Sequence, residues 1–206
     1  MRLCPYFKRK EVKMEFNQTK TFKNLTAAFA GECQAGMRYQ MIAQKALMQG
    51  YKTLADEIKT IAKNETMHAK TFFDFILENG AACPNAEVAG GFPFEGDTVE
   101  NGLIAALNAE KSESEFIYPS FAKDAQDEGY TQIADTFLRV AEVEKRHEII
   151  FAYLAKHFED GTLFKSDTPV VYECSECGFR FTAKQAFSVC PLCKSSQGFV
   201  KLNLPD

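Results

Sequence analysis

Glu65-Thr66-Met67-His68 and Glu144-Lys145-Arg146-His147 are the stretches on which the reading of the fold turns. Each sets a carboxylate and an imidazole three residues apart, side by side on one helix face and able to grip a single ion. The chain holds only three histidines, and two of them stand in this relation to a glutamate. The third, His157, lies well round its helix from the Glu144/His147 face and is expected to be solvated.

Outward from these pairs, apolar residues recur at steps of three and four, as a helix with one buried face requires. Leu25, Phe29, Glu32, Gly36, Tyr39 and Ala43 form the stripe of a first helix. Leu54, Ile58, Ile61, Glu65, His68, Phe72 and Phe75 form that of a second. A third carries Leu103, Ala106, Glu110, Glu113, Ile117 and Phe121. The fourth has Ile133, Phe137, Val140, Glu144, His147, Phe151 and Leu154. Glutamate interrupts every stripe near its middle. An ionised carboxylate inside a bundle is costly unless compensated. Five converge here with two imidazoles and with no Lys or Arg on the same stripes. Two divalent cations would balance four of the carboxylates and leave one spare.

The halves of this region echo each other. Glu32 precedes Glu65 by 33 residues and Glu110 precedes Glu144 by 34. Each half reads as a helical hairpin of the form Glu…Glu-x-x-His, and two such hairpins make an all-α four-helix bundle with a dinuclear site. This is the ligand pattern of ferritin-like di-iron or di-manganese proteins. Gly50 and Gly129 close the hairpins, and the Gly- and Pro-rich stretch from Gly80 to Thr98 carries the chain across the bundle. Asp97-Thr98-Val99-Glu100 reads as a capping box opening the third helix. Gly161 stops the fourth. The expected boundaries are an N-terminal extension at 1–17, a bundle at 18–160, a linker at 161–170 and a small second domain at 171–206. Met14 is an alternative start, and a short docking arm is the functional reading of the extension.

The second domain is defined by Cys174-Ser-Glu-Cys177 and Cys190-Pro-Leu-Cys193. Two such knuckles make a tetrahedral thiolate site for which iron and zinc are both chemically suited. A zinc ribbon that merely holds the tail folded is the structural alternative. A one-electron iron centre makes chemical sense beside a di-iron bundle, which needs electrons returned to it. Cys4, Cys33 and Cys83 are scattered singly and read as ordinary thiols. An odd total of seven cysteines with a paired cluster favours a metal site in a reducing compartment over a disulfide framework.

Composition agrees with a globular chain: 206 residues, 46% hydrophobic and 25% charged. A net charge of −4 gives nucleic-acid binding no electrostatic support. No apolar run is long enough to span a bilayer, and Met1 to Lys13 lacks the apolar core of a signal peptide. A cytoplasmic protein without membrane attachment is expected.

Phe29-Ala-Gly-Glu-Cys-Gln-Ala35, the two Glu-x-x-His pairs, Glu110-x-x-Glu113 and the paired cysteines occur in an order that resembles the rubrerythrin family, over about residues 18–206. The resemblance implies a homodimer of ferritin-like bundles, each chain ending in a rubredoxin-like domain that carries one iron in a Cys4 site. It implies a peroxidase that reduces hydrogen peroxide. Electrons would come from a rubredoxin or an NAD(P)H-dependent reductase and pass through the Cys4 iron. No Gly-x-Gly-x-x-Gly fingerprint is present for a nicotinamide to bind directly.

Carried over by position, the ligands of two iron ions would be Glu32, Glu65, His68, Glu110, Glu113, Glu144 and His147. Glu113 and His68 would exchange on one iron as the redox state changes. Tyr39 and Tyr118 match tyrosines beside the cluster that hydrogen-bond ligand carboxylates. Two departures stand out. Gly36 and Met37 replace polar residues and are expected to loosen that turn. Lys194 replaces a glycine after the last cysteine and is expected to strain the knuckle. The rival functions are a ferroxidase or iron-storage protein, an oxygen-reducing di-iron oxidase, and a structural zinc ribbon on a vestigial bundle.

Overall fold

The computed structural model describes residues 15–80 and 85–205. Met14, Cys4 and Cys83 lie outside the described residues. Among those described, four helical rods stand side by side. They are α1 (Lys20–Met48), α2 (Lys52–Glu78), a composite third rod and α5 (Thr131–Glu159). The third rod joins α3 (Val99–Ser112), a π-helical turn (Glu113–Ile117) and α4 (Tyr118–Asp127). α1 packs along α2, and α5 packs along the third rod, so the two hairpins are the two halves of an all-α four-helix bundle.

Local chemistry sets the ends of these helices. Thr19 caps α1 by accepting from the Phe22 amide. Glu128, in the turn before α5, accepts from the backbone N–H groups of Lys20 at 2.9 Å and Thr21 at 2.8 Å. A carboxylate at the positive end of α1 therefore ties the second hairpin to the first. Gly50 and Gly129 close the hairpins with φ of 88° and 85°. The cap of α3 falls one residue later than the capping box implies. Thr98 accepts from the Asn101 amide, while Asp97 receives the Asn101 side chain.

The third rod corrects the sequence register. Within the π turn the Tyr118 amide bonds the carbonyl of Glu113, five residues back. That wider turn moves the buried stripe on by one residue. Tyr118, Ala122 and Ala125 are buried, and Ile117, expected inside, is 38% exposed.

The apolar core lies in two clusters. One holds Tyr39, Ile42, Leu54, Ile58, Leu103, Phe151 and Leu154. The other holds Leu25, Phe72, Phe75, Tyr118, Ile133 and Phe137. Phe16, placed in the extension by sequence, belongs to the second cluster, where its ring meets Phe22 and Tyr130.

The tail forms a two-stranded antiparallel sheet, β1 (Lys165–Glu173) and β2 (Arg180–Gln185), with Tyr172 opposite Phe181. The expected linker is largely structured: Leu163 and Phe164 are buried in the bundle's first cluster, and β1 begins at Lys165. The tail docks on the α1–α2 turn. Thr53 Oγ1 donates to the Val200 carbonyl at 2.6 Å, and a Cβ on Gly198 would lie 1.7 Å from the Gly50 carbonyl oxygen. Only glycine permits that approach. No helix among the described residues is long and apolar enough to cross a membrane.

Candidate metal centres

The glutamates that interrupt the stripes form a polar layer between the two apolar clusters. α1 supplies Glu32, α2 supplies Glu65 and His68, α3 supplies Glu110, and α5 supplies Glu144 and His147. All four glutamates are at most 1% exposed. Their donor atoms fall into two groups, Glu32/Glu65/His68/Glu144 and Glu65/Glu110/Glu144/His147, each gathered within 4.8 Å.

Glu65 and Glu144 belong to both groups, which the sequence did not reveal. Glu65 Oε2 lies 3.0 Å from His68 Nδ1, and its Oε1 lies 3.0 Å from His147 Nδ1. Glu144 spans the same imidazoles at 2.9 and 2.8 Å. Glu32 closes one end, 3.8 Å from His68, and Glu110 the other, 3.5 Å from His147. Tyr39 donates its hydroxyl hydrogen to Glu110 Oε1, and Tyr118 donates to Glu32 Oε1. Each tyrosine thus holds the terminal carboxylate of the opposite hairpin.

Burial and crowding perturb the protonation of this layer. Burial raises Glu32 well above the usual carboxylate range and raises Glu110 to about 8. Glu65 falls to about 2: burial opposes ionisation, but the adjoining imidazoles of His147 and His68 more than offset it. Burial likewise works against charge on the imidazoles, yet their carboxylate partners drive both to about 12. Glu32 Oε2, Glu65 Oε1, Glu110 Oε2 and both oxygens of Glu144 are buried without hydrogen-bond partners. Buried carboxylate oxygens left in that condition are costly. A divalent cation in each group would satisfy them, so the donor set fits a metal pair.

Glu113 lies outside both groups. It opens the π turn, a feature common at functional sites, and with Tyr118 it lines a cavity of about 490 Å³ between α1, the third rod and Gly91–Glu95. Burial, then the neighbouring Glu32 and Glu110, raise its carboxyl well above the usual range.

The four tail cysteines also come together. Cys174 Sγ lies 3.6 Å from Cys193 Sγ, and Cys177 Sγ lies 3.7 Å from Cys190 Sγ. A disulfide is far shorter. Sulfurs about 2.3 Å from one tetrahedral ion would be about 3.8 Å apart, so the cage fits a single metal. Lys194 carries a positive φ of 68°, the strain expected of it, and its N–H still reaches the Cys190 carbonyl at 3.0 Å.

Two other expectations are corrected. Gly36 does not loosen its turn: it is buried against α2, where a Cβ would lie 3.3 Å from the Ala62 carbonyl oxygen and 3.5 Å from Glu65 Cβ. His157 is not free in solvent. Its Nδ1 lies 2.7 Å from Thr162 Oγ1 and its ring packs on Tyr153. Arg38 is a residue that sequence reasoning passed over, because nothing in its helical position separates it from a surface arginine.

Two Glu-x-x-His helices facing two single-carboxylate helices, with a four-cysteine tail, define a ferritin-like, iron-binding carboxylate protein with a rubredoxin-like domain. The model of the family described as Rubrerythrin matches residues 23–100 and 100–180. Rubrerythrin-1 of Clostridium acetobutylicum is 39% identical over 193 residues, covering 89% of this chain and 94% of that protein. The rubrerythrin of Porphyromonas gingivalis is 38% identical, covering 93% and 94%. The chain belongs to the rubrerythrin family. Solved structures share its fold, nigerythrin and a bacterioferritin among them. Nigerythrin in a mixed-valence state has a TM-score of 0.59 at 23% identity, covering 98% of this chain and all of that one. Mycobacterium tuberculosis bacterioferritin has a TM-score of 0.62 at 18% identity, covering 71% and 90%.

Proposed function

We propose that the chain is a peroxidase that reduces hydrogen peroxide to water, with two iron ions in the carboxylate layer and one in the cysteine cage. The observation that carries this reading is the cysteine cage docked on the same bundle as the carboxylate layer, since storage alone needs no such cage. When bound, the iron pair supplies Lewis acidity and two electrons for O–O cleavage, and the cage iron relays electrons singly.

The protein's own groups supply the rest. Glu65 and Glu144, which belong to both donor groups, would hold both metal ions, and Glu32, Glu110, His68 and His147 would complete the two sites. Tyr39 and Tyr118 orient the terminal carboxylates from the apolar clusters on either side. Glu113 and Tyr118 face the cavity through which peroxide would arrive. Glu113, outside both donor groups, would be the carboxylate available to replace His68 as a ligand when iron is bound.

Thr53, where the tail docks, is twelve residues from Glu65, about 18 Å of helix rise. Electron tunnelling slows steeply over such a gap. This favours delivery from the cage of a second copy in a homodimer. A rubredoxin or NAD(P)H-dependent reductase in the cytoplasm would reload the cage.

Stopped-flow absorbance of the anaerobically reduced, iron-loaded protein tests the reading. Fast return of ferric-thiolate colour with hydrogen peroxide and slow return with oxygen is expected. Faster reaction with oxygen would favour an oxidase or ferroxidase, and absence of thiolate colour would mean a zinc tail.

A further inference from the structure

Beneath the crossover segment at residues 91–97, two cavities share part of their lining. The first, of about 490 Å³, has Glu113 and Tyr118 in its wall. The second, of about 520 Å³, is lined by Met37, Met41, Ile42 and Phe94. Arg38 lines both, together with Gln34, Pro93 and Glu95.

The Nε and Nη1 groups of Arg38 are shut away from solvent and have no hydrogen-bond partner. The guanidinium lies 5.6 Å from the centroid of the Tyr39 ring and makes no ion pair among the described residues. Arg38 as a whole is half-buried, so the cost falls on these two N–H groups, and the forked donors of a guanidinium match a carboxylate. Hydrogen peroxide answers neither feature. It is neutral, and it needs little more room than a water molecule, about 30 Å³. Cavities of several hundred cubic ångströms with apolar walls suit organic ligands. One guanidinium with Glu95 on the same wall suits a monoanion better than a phosphate.

We propose that the joined cavities bind an organic hydroperoxide bearing a carboxylate, with the carboxylate on Arg38 and the hydroperoxyl group at the Glu113–Tyr118 wall. The inference rests on the peroxidase reading and extends its substrate class. The reaction is ROOH plus two electrons and two protons giving ROH and water. The O–O bond breaks, the electrons come from the reduced iron pair, and one proton goes to each oxygen.

Calorimetric titration of the iron-loaded protein with octanoate tests the site, because octanoate has the carboxylate and nothing to reduce. Saturable binding is expected, at least about tenfold tighter than that of octanamide. Arg38→Ala should weaken octanoate at least about tenfold, and Arg38→Lys should recover part of the loss. Equal binding of octanoate and octanamide, or of octanoate to the parent and Arg38→Ala, would overturn the proposal. In turnover, the ratio of kcat/KM for 8-hydroperoxyoctanoate to that for its methyl ester should fall about tenfold in Arg38→Ala, through KM. An unchanged ratio would also overturn it. If the protein reduces no peroxide at all, the peroxidase reading fails, while the octanoate titration still decides whether Arg38 holds a carboxylate.

Discussion

Tyr118 donates its hydroxyl hydrogen to Glu32 across a separation of 86 residues, from the second hairpin to the first. Tyr39 returns the contact to Glu110. The two terminal carboxylates are therefore positioned by each other's hairpins, and the metal layer forms only when the hairpins pack.

Tyr118→Phe should lower iron affinity about 10- to 100-fold, the usual effect of removing a group that orients a ligand. The phenyl ring keeps its packing on Phe72 and Phe137, so the bundle should still fold. Tyr39→Phe should cost a similar factor, because the two contacts are near-symmetric. Chelator competition measures both. Unaltered affinity in Tyr118→Phe would mean that the hydroxyl does not position Glu32.

Metal-free protein should lose stability as the pH rises from about 5 to about 9. Glu110, raised by burial from 4.5 to about 8, stays protonated in the fold where the unfolded chain has released its proton. Its contribution declines across that window. His68 and His147, raised from 6.5 to about 12 by their carboxylate partners, contribute fully below 6.5 and progressively less above it. Glu65, near 2, has the opposite sign and matters only below about pH 4.5. Iron needs deprotonated ligands, so the loaded protein should not show the decline. Calorimetric melting of both forms across this range is the measurement. A metal-free melting temperature that climbs with pH would contradict the assignment.

Lys194→Gly should stabilise the tail by about 1 kcal/mol, since a left-handed backbone costs a residue with a Cβ roughly 1–2 kcal/mol. The bond from its N–H to the Cys190 carbonyl needs no side chain. Thermal loss of thiolate colour reports the change. A lower midpoint would show that the lysine side chain, which reaches the Pro191 carbonyl, outweighs the strain.

Gly198→Val should undock the tail, because its Cβ would overlap the Gly50 carbonyl and neither backbone can yield. A loss of about 2 kcal/mol or more is expected. Hydrogen exchange should rise at the α1–α2 turn. Unchanged protection there would mean that the docking does not persist in solution.

Much of this molecule was legible in local spacing. The step of three from Glu65 to His68 and from Glu144 to His147 places each pair on one helix face wherever that helix goes. The two Cys-x-x-Cys knuckles likewise announce a cage. Less legible was the third rod, where the π turn shifts the buried position from Ile117 to Tyr118. A regular 3.6-residue period cannot represent an extra residue that is accommodated by widening one turn. Gly36 was misread for a related reason: its role is set by the Ala62 carbonyl, on another helix.

The sequence by itself determined the helices, their pairing into two similar halves and the residue types of both metal centres, because these follow from periodicity and spacing along one chain. Tertiary structure alone decided that Glu65 and Glu144 each span both imidazoles, that the tyrosines cross between hairpins, and that Nε and Nη1 of Arg38 are shut from solvent without a partner. Spacing sets which residues share a face. Which atoms on that face meet depends on how the hairpins pack.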